Sequence, residues 1–331
     1  FTTFQERYNQ KFKLKCEGNL TQWFGISLEW SSDNSFVRMS QEIEIRLGIE
    51  RFGLEDSRTY YTPMESNYDS SAVTKIKDDL FDYQSAVGLL LWWARMTRPD
   101  IYLSVVILAA HTHNYNQYHI DQVKRIFKYL NTTSDLTFNF VGSSDFDLSN
   151  IPVFGITDSN WATCKLTRRS ITGNVVYVGF NPVSFGSNFT KTIPLSSTEA
   201  EYLGESAIAK DLLFIHYLFD EMGPKAKVIL PMPIIGDNQG ALKLAENYIS
   251  NSRTKHIDIR HHFIRHYVQN KIISMNYVST VDNIADTFTK PLSRVLFEKF
   301  TKFFMNVCSL VPLVRFYISI LKTNKKRQMN L

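Results

Sequence analysis

Apolar positions along this chain follow one spacing before about residue 150 and another after it. Residues 20–38, LTQWFGISLEWSSDNSFVR, set two apolar runs either side of the turn residues Ser31 to Ser35, the pattern of a β-hairpin. Residues 39–53 carry helical spacing and end at Gly53, a residue type that commonly closes a helix. Residues 60–79 are polar and rich in turn formers, which predicts a linker. Apolar-periodic helices are expected at 83–113 and 119–131. The first should break near Pro99, because Arg98 precedes a proline and is biased away from helix. Asp145 to Asn150 form a second expected linker.

From 151 the order becomes three strands, a helix, a strand, two helices and a strand. IPVFGITDS, GNVVYVGF and PVSFGS predict strands joined as hairpins. A long helix is expected from Ser197 to Met222, then a short strand at PMPIIGD, whose prolines make its early part irregular. Helices at about 239–247 and 256–270 and a last strand at KIISMNYVS complete the pattern. Strands joined through helices favour a parallel arrangement. Three hairpin strands plus later strand–helix units therefore predict an α/β fold with a mixed five-stranded sheet and flanking helices.

Composition changes this picture little. The 331 residues suffice for about two domains, and 44% hydrophobic with 21% charged content is ordinary for a soluble globular protein. A net charge of +5 is compatible with a nucleic-acid partner without requiring one. Cys16, Cys164 and Cys308 have no CxxC spacing, which argues against a disulfide framework or zinc site and for a reducing compartment. The start, FTTFQERYNQKFKLK, lacks the apolar core of a signal peptide and an initiator Met, so a piece of a longer chain is expected. Residues 303–321 are largely apolar, but Pro312 and Arg315 interrupt them, and no membrane span is expected. The final KTNKKRQMNL is a basic tail of nuclear-targeting composition.

The candidate chemistry lies in four acids: Asp158, Glu201, Asp237 and Asp286. Each falls at an end of an expected strand or helix. Asp158 ends the first strand after 150, Asp237 ends PMPIIGD, and Asp286 follows the last strand. Ligands of open α/β sheets gather at such strand ends. On the long helix, residues 201, 205, 208, 212, 215 and 219 share one face that is apolar through Ile208, Leu212, Ile215 and Phe219. That face must pack on the sheet, so Glu201 points inward, and Glu199 should lie with Ser206 and Lys210 on the wet face. A lone acid at a strand end is more often a turn former or helix cap. Four in this order point instead to converging carboxylates, which repel unless cations neutralise them. Two Mg²⁺ or Mn²⁺ ions suit an all-oxygen cluster, and in-line attack on a phosphodiester uses such a pair. The chain is therefore expected to be a nuclease.

The same residues carry a resemblance. SSTEAEY at 196–202, GDNQGALKLA at 236–245, SRTKHIDIRHHFIR at 252–265 and NIADTFTK at 283–290 resemble the ribonuclease H domain of Ty1/copia-type retrotransposon Pol polyproteins. YQSAVGLLLWWARMTRPDI at 83–101 and VKRIFKYLNTT at 123–133 resemble the segment linking reverse transcriptase to ribonuclease H in that family. LTQWFGISLEW and RFGLEDSRTYYTPM resemble the end of the reverse transcriptase. The resemblance implies an RNase H-like fold and hydrolysis of RNA in an RNA–DNA hybrid, with Asp158, Glu201, Asp237 and Asp286 as catalytic metal ligands. It also implies Asp158 shared between the two ions, Glu201 and Asp237 on one, and Asp286 on the other. Its implied divisions are 1–59 as the reverse transcriptase end, 60–148 as a helical thumb or connection, 149–292 as ribonuclease H, and 293–331 as a tail without a counterpart. The remaining Pol polyprotein, including the polymerase palm, would be a partner. The setting would be cytoplasmic, in a virus-like particle, or nuclear.

The chain departs from the family pattern at Asn160, Thr163 and Phe185-Gly186, beside the acids rather than on them. It has no YVDD-type paired aspartates, and Asp78-Asp79 sits in an expected linker, so no polymerase activity is expected of this chain alone. Arg168 and Arg169, between the first two strands of the sheet, and Lys255 and Arg260, on the helix with His256, His261 and His262, are candidate contacts to nucleic-acid phosphate. Arg265 should lie outside on that helix. Trp92, Trp93 and Trp161 are expected in the core. The alternative functions are an inactive or domesticated remnant that binds nucleic acid without catalysis, and a DNA nuclease of the same fold.

Overall fold

The computed structural model describes residue 6 and residues 19–305, apart from 34, 70, 73, 75–79, 143–146, 166, 180 and 247–257. The expected hairpin forms as β1 (Gln22–Trp23), β2 (Ile26–Trp30) and β3 (Phe36–Ser40), all antiparallel. Phe24 and Gly25 both have positive φ, the geometry a two-residue hairpin turn needs. Between β2 and β3, Asp33 accepts from the Ser35 amide and Ser31 Oγ accepts from the Phe36 amide. Helix α1 (Glu42–Arg51) then closes on Gly53, where Gly53 N donates to Glu50 O and Leu54 N to Ile49 O. This paired arrangement satisfies carbonyls that the helix end would otherwise leave open.

Residues 60–64 do not form a linker. Thr62, Pro63 and Met64 are buried, Arg125 donates to Thr62 Oγ1, and the Arg294 guanidinium lies 3.5 Å from the centre of the Tyr61 ring. The apolar side chain of Met64 outweighs the polar average of the segment. Asp78-Asp79 fall outside the described residues. Helix α2 (Tyr83–Met96) stops before Pro99 as expected, a 3₁₀ turn spans Pro99–Ile101, and α3 (Tyr102–Ala109) and α4 (Gln117–Thr132) follow. At the break, the buried Arg98 donates to Asp100 at 2.7 Å and to the Thr133 carbonyl at 2.9 Å, and the Tyr129 hydroxyl donates to Asp100 at 2.7 Å. The pair is buried yet compensated at most of its polar atoms, the condition under which buried charge is tolerated.

Strand β4 (Phe138–Val141), absent from the sequence expectation, returns to β3 and completes a four-stranded sheet in the order β1-β2-β3-β4. Its four residues are too few for periodicity to show.

The second half is the mixed sheet. It comprises β5 (Val153–Asn160), β6 (Ile171–Val178) and β7 (Asn181–Phe189), then α5 (Ser197–Glu221), β8 (Met232–Gly236), α6 (Gln239–Glu246), α7 (Asp258–Gln269) and β9 (Ile273–Tyr277). The strand order is β7-β6-β5-β8-β9. The pairings among β5, β6 and β7 are antiparallel, and β8 is parallel to both β5 and β9. That order and these directions give the RNase H-like α/β fold. Two 3₁₀ turns, Thr280–Asp282 and Ile284–Phe288, and helix α8 (Arg294–Phe304) follow. Helix α8 lies where only an uncertain tail was expected; Phe297, Phe300 and Phe304 bury one of its faces. The tail beyond 305 lies outside the described residues. Among those described, no helix is long and apolar enough to cross a membrane.

Both faces of β5 are covered, which is why its first half, Val153 to Ile156, is apolar without alternation. On one face Val153 and Val176 meet Ile208, Leu212 and Ile215 of α5. On the other, Phe154, Ile156, Val175 and Tyr177 share a core with residues of α1 to α4, Phe288 and α8. That core crosses the expected boundary at 148/149.

Candidate active site

Register explains why two of the acids meet. Parallel strands β5 and β8 align Ile156 with Ile235, so Asp158 and Asp237 stand two residues further along each chain, at the same sheet edge. Helix α5 brings the third. Ser196 caps it by accepting from the Glu199 amide, and Ser159 Oγ donates to the Ala200 carbonyl at 2.9 Å, pinning the first turn against β5. Gly204 permits the close approach, since a Cβ there would stand 2.8 Å from Thr157 Oγ1. Glu201 then points inward. Asp158, Glu201 and Asp237 each place a carboxylate oxygen within 4.8 Å of the others.

Asp286 reaches the same edge on the 3₁₀ turn Ile284–Phe288. Asn283 docks this turn by donating from Nδ2 to the Thr157 carbonyl at 3.1 Å. The next residues complete the cluster. Thr289 Oγ1 donates to Asp158 Oδ2, and the Lys290 ammonium lies 2.8 Å from Asp286 Oδ1. Asp158 and Asp286 lie within hydrogen-bonding reach of each other.

The electrostatics are those of crowded, buried acids. Burial first, and then the charges of Asp158, Asp237 and Glu205, push the Glu201 carboxyl up to about 10. Burial and Asp158 raise Asp286 to about 7 against the pull of Lys290. Asp158 is raised mainly by burial, opposed by Thr289 and Lys290. Several oxygen donors, half-buried to buried and mutually repelling, fit a hard divalent cation: it supplies the charge that the cluster lacks.

The structure thus brings all four expected acids together. Arg168 and Arg169 are exposed on the β5–β6 loop, Arg168 with positive φ. Lys255 lies outside the described residues, and Arg260 falls on α7 with its side chain outside them. Four placements differ from expectation. Ser206 is buried rather than wet, and Arg265 is buried beside Tyr202 rather than exposed. Trp161 is exposed, as is Trp92, whereas Trp93 is in the core. Ser159, Asn283, Thr289 and Lys290 were missed as parts of the site. All but Ser159 lie in the NIADTFTK string; the contacts of Asn283 and Thr289 cross more than a hundred residues and have no local signal, whereas Lys290 pairs with Asp286 four residues before it, a spacing the sequence does show.

No protein-family model matches the chain. It is 33% identical over 297 residues to the retrovirus-related Pol polyprotein from transposon RE1 of Arabidopsis thaliana, a match covering 89% of this chain and 20% of the relative. It is 30% identical over 298 residues to the retrovirus-related Pol polyprotein from transposon TNT 1-94 of Nicotiana tabacum, covering 88% and 22%. The chain spans about a fifth of the length of these curated relatives. Among solved structures, LC11-RNase H1, isolated from compost by a metagenomic approach, is 13% identical and covers 45% of this chain and 96% of its own, with a TM-score of 0.33. At that score the fold assignment rests on strand order and direction alone.

Proposed function

The chain belongs to the Pol polyproteins of copia-type retrotransposons, and from that membership we propose that its second half hydrolyses the RNA strand of RNA–DNA hybrids. The observation that carries this reading is the cluster of Asp158, Glu201 and Asp237, oxygens within 4.8 Å, with Asp286 on the same edge. The ions would be two Mg²⁺ or Mn²⁺, and Asp158, Glu201, Asp237 and Asp286 would hold them. When bound, they supply charge neutralisation, an activated water and stabilisation of the leaving 3′ oxygen.

The chain's own groups do the rest. The Thr289 hydroxyl fixes the orientation of the Asp158 carboxylate. Strand β5 and the capped first turn of α5 hold the acids on rigid elements, so little reorganisation is needed when substrate arrives. Lys290 keeps a positive charge at the cluster edge, beside the place where a phosphate must enter. The RNA 2′-hydroxyl would let the site tell RNA from DNA. The reaction would take place inside a longer Pol protein whose other parts supply the polymerase palm.

The full chain is incubated with labelled hybrid and Mg²⁺. Cutting of the RNA strand, with single-stranded RNA and duplex DNA left intact, is the expected outcome. Efficient Mg²⁺-dependent cutting of duplex DNA would remove the assignment. Failure of folded protein to cut anything would favour a remnant that keeps the fold.

A further inference from the structure

Two loops flank the acidic cluster and are stitched into one surface. Strand β5 ends at Asn160, and the indole of the next residue, Trp161, donates from Nε1 to the Pro194 carbonyl at 2.9 Å. Ala162, with positive φ, donates its amide to Ser170 Oγ at 2.9 Å. Ser170 and Thr190 are joined twice, by Thr190 N to Ser170 O at 2.8 Å and by Ser170 N to Thr190 Oγ1 at 3.1 Å. The β5–β6 loop and the β7–α5 loop are thereby held together.

What this surface presents is apolar. Trp161 is 45% exposed, Ile193 56% and Leu195 74%, and the Pro194 carbonyl that anchors the indole lies between the latter two. Exposed Arg169 and Lys191 flank them, each adjacent to the Ser170–Thr190 junction. The indole is held by its own hydrogen bond, so its orientation is set before any ligand arrives. A rigid aromatic ledge with basic shoulders, beside a cluster suited to a phosphodiester, has the charge complementarity of a nucleic-acid surface and not of a further core.

We propose that Trp161, Ile193 and Leu195 form a ledge that enters the minor groove of the hybrid and packs on its sugars and base edges, with Arg169 and Lys191 on the adjoining phosphates. This rests on the hybrid reading of the acidic site and adds its specificity element. The ledge begins three residues beyond Asp158, up to about 10 Å along an extended chain. From a strand held at the carboxylates, it therefore reaches into the adjoining groove. An A-like duplex offers a wide, shallow minor groove with exposed sugars, which admits a bulky ring. The minor groove of B-form DNA is only about 6 Å wide and does not admit the ring without being forced open. The ledge thus favours hybrid over duplex DNA by shape, without reading sequence.

The test is fluorescence anisotropy with the full chain in Ca²⁺, using one labelled sequence as RNA–DNA hybrid, as duplex DNA and as single-stranded RNA. Trp161→Ala should weaken hybrid binding roughly ten-fold, the scale of one lost aromatic contact, and shrink the preference for hybrid over duplex. Trp161→Phe should restore most of it, because the ring is what packs. Should Trp161→Ala lower the melting temperature, the double variant Ile193→Ser, Leu195→Ser, at strongly exposed positions, should show the same loss of preference without unfolding. Hybrid binding by these variants equal to wild type, or equal losses on all three nucleic acids, overturns the ledge while leaving the hybrid reading intact. A wild-type chain that binds all three equally overturns the hybrid reading itself, and the ledge with it.

Discussion

Glu199 turns its carboxylate back on the chain, accepting from the Leu195 amide at 2.7 Å, whereas Glu201 turns inward toward Asp158 and Asp237. Glu201→Gln should therefore abolish hybrid cleavage. Glu199→Gln should keep most of it and lose less than about 1 kcal/mol of stability, since an amide oxygen can still accept at the cap. Equal loss of cleavage in both variants would show that helix position, not the carboxylate, is what matters. The same cluster sets a pH dependence. A carboxyl whose folded pKa lies above its unfolded value near 4 binds its proton more tightly when folded. Its stabilisation is fully present below that unfolded value. It is lost as pH rises, through about 7 for Asp286 and on toward about 10 for Glu201. Each retained proton gives a slope of up to about 1.4 kcal/mol per pH unit. Metal-free protein should thus melt progressively lower between about pH 5 and pH 8, and Glu201→Gln should flatten that profile. Mg²⁺ should offset the decline, and Asp237→Asn should shrink the Mg²⁺ shift without lowering the metal-free melting temperature. Parallel pH profiles in wild type and Glu201→Gln, or an undiminished Mg²⁺ shift in Asp237→Asn, would exclude these acids from the cluster. The acids were legible in the sequence because strand ends and a helical face dictate where they point. Thr289 and the burial of Arg265 were not, because each depends on what a distant segment places opposite it.

Among the elements, α5 carries the most consequence for the site, and two glycines govern its seat. A Cβ at Gly155 would stand 2.5 Å from Ile208 Cδ1, and one at Gly204 would stand 2.8 Å from Thr157 Oγ1 and 3.0 Å from Ser159 Oγ. The Ile208 methyl is the end of a flexible side chain and can move. Thr157 is β-branched on a fully covered strand, and its hydroxyl already donates to the Gly173 carbonyl at 3.1 Å, so it cannot. Gly204→Ala should therefore lift α5 away from β5, costing about 1–3 kcal/mol by overpacking. It should also weaken the Mg²⁺ shift, because Glu201 lies less than one turn away. Gly155→Ala should cost less and leave the metal response nearly unchanged. Thermal melts of both variants with and without Mg²⁺ decide this; a larger metal defect in Gly155→Ala would refute it. The helix and its inward face were legible from periodicity, since 3.6-residue spacing survives over 25 residues. The close approach at Gly204 was not, because a glycine inside a helix does not announce which neighbour requires it. Residues 60–64 show the converse: averaged polarity over a window hides the buried run Thr62, Pro63 and Met64 that ties the segment down.

At the scale of the molecule, contacts join the two sheets across the change of apolar spacing near residue 150. Phe185 of β7 packs edge-on against Tyr102 of α3 and Phe138 of β4, at ring separations of 5.9 and 5.8 Å. The Asn181 side chain pairs with the Val141 backbone of β4, accepting from N at 2.7 Å and donating to O at 2.9 Å. Asn139 N donates to the Met305 carbonyl, and Tyr129 meets Phe297 at 5.8 Å. The sheet face made by Phe154, Ile156, Val175 and Tyr177 thus belongs to a core that also holds residues of α1 to α4, Phe288 and α8. Period and turn residues made the mixed sheet legible, but the partner of that face was not, because a strand buried on both sides reads the same whichever helices cover it. A segment of residues 149–305 expressed alone should consequently expose the apolar surface that Phe185 and its neighbours present to α3 and β4, bind a hydrophobic dye, and melt well below residues 19–305 or aggregate. The longer segment should unfold in one transition, since a shared core couples its halves. Restoring α2 to α4 should matter more than restoring β1 to β3, because the helices and not those strands supply buried residues to the shared core. If 149–305 instead melts as sharply and as high as the longer segment, the ribonuclease H-like unit is independent, and the shared core contributes contact without stability.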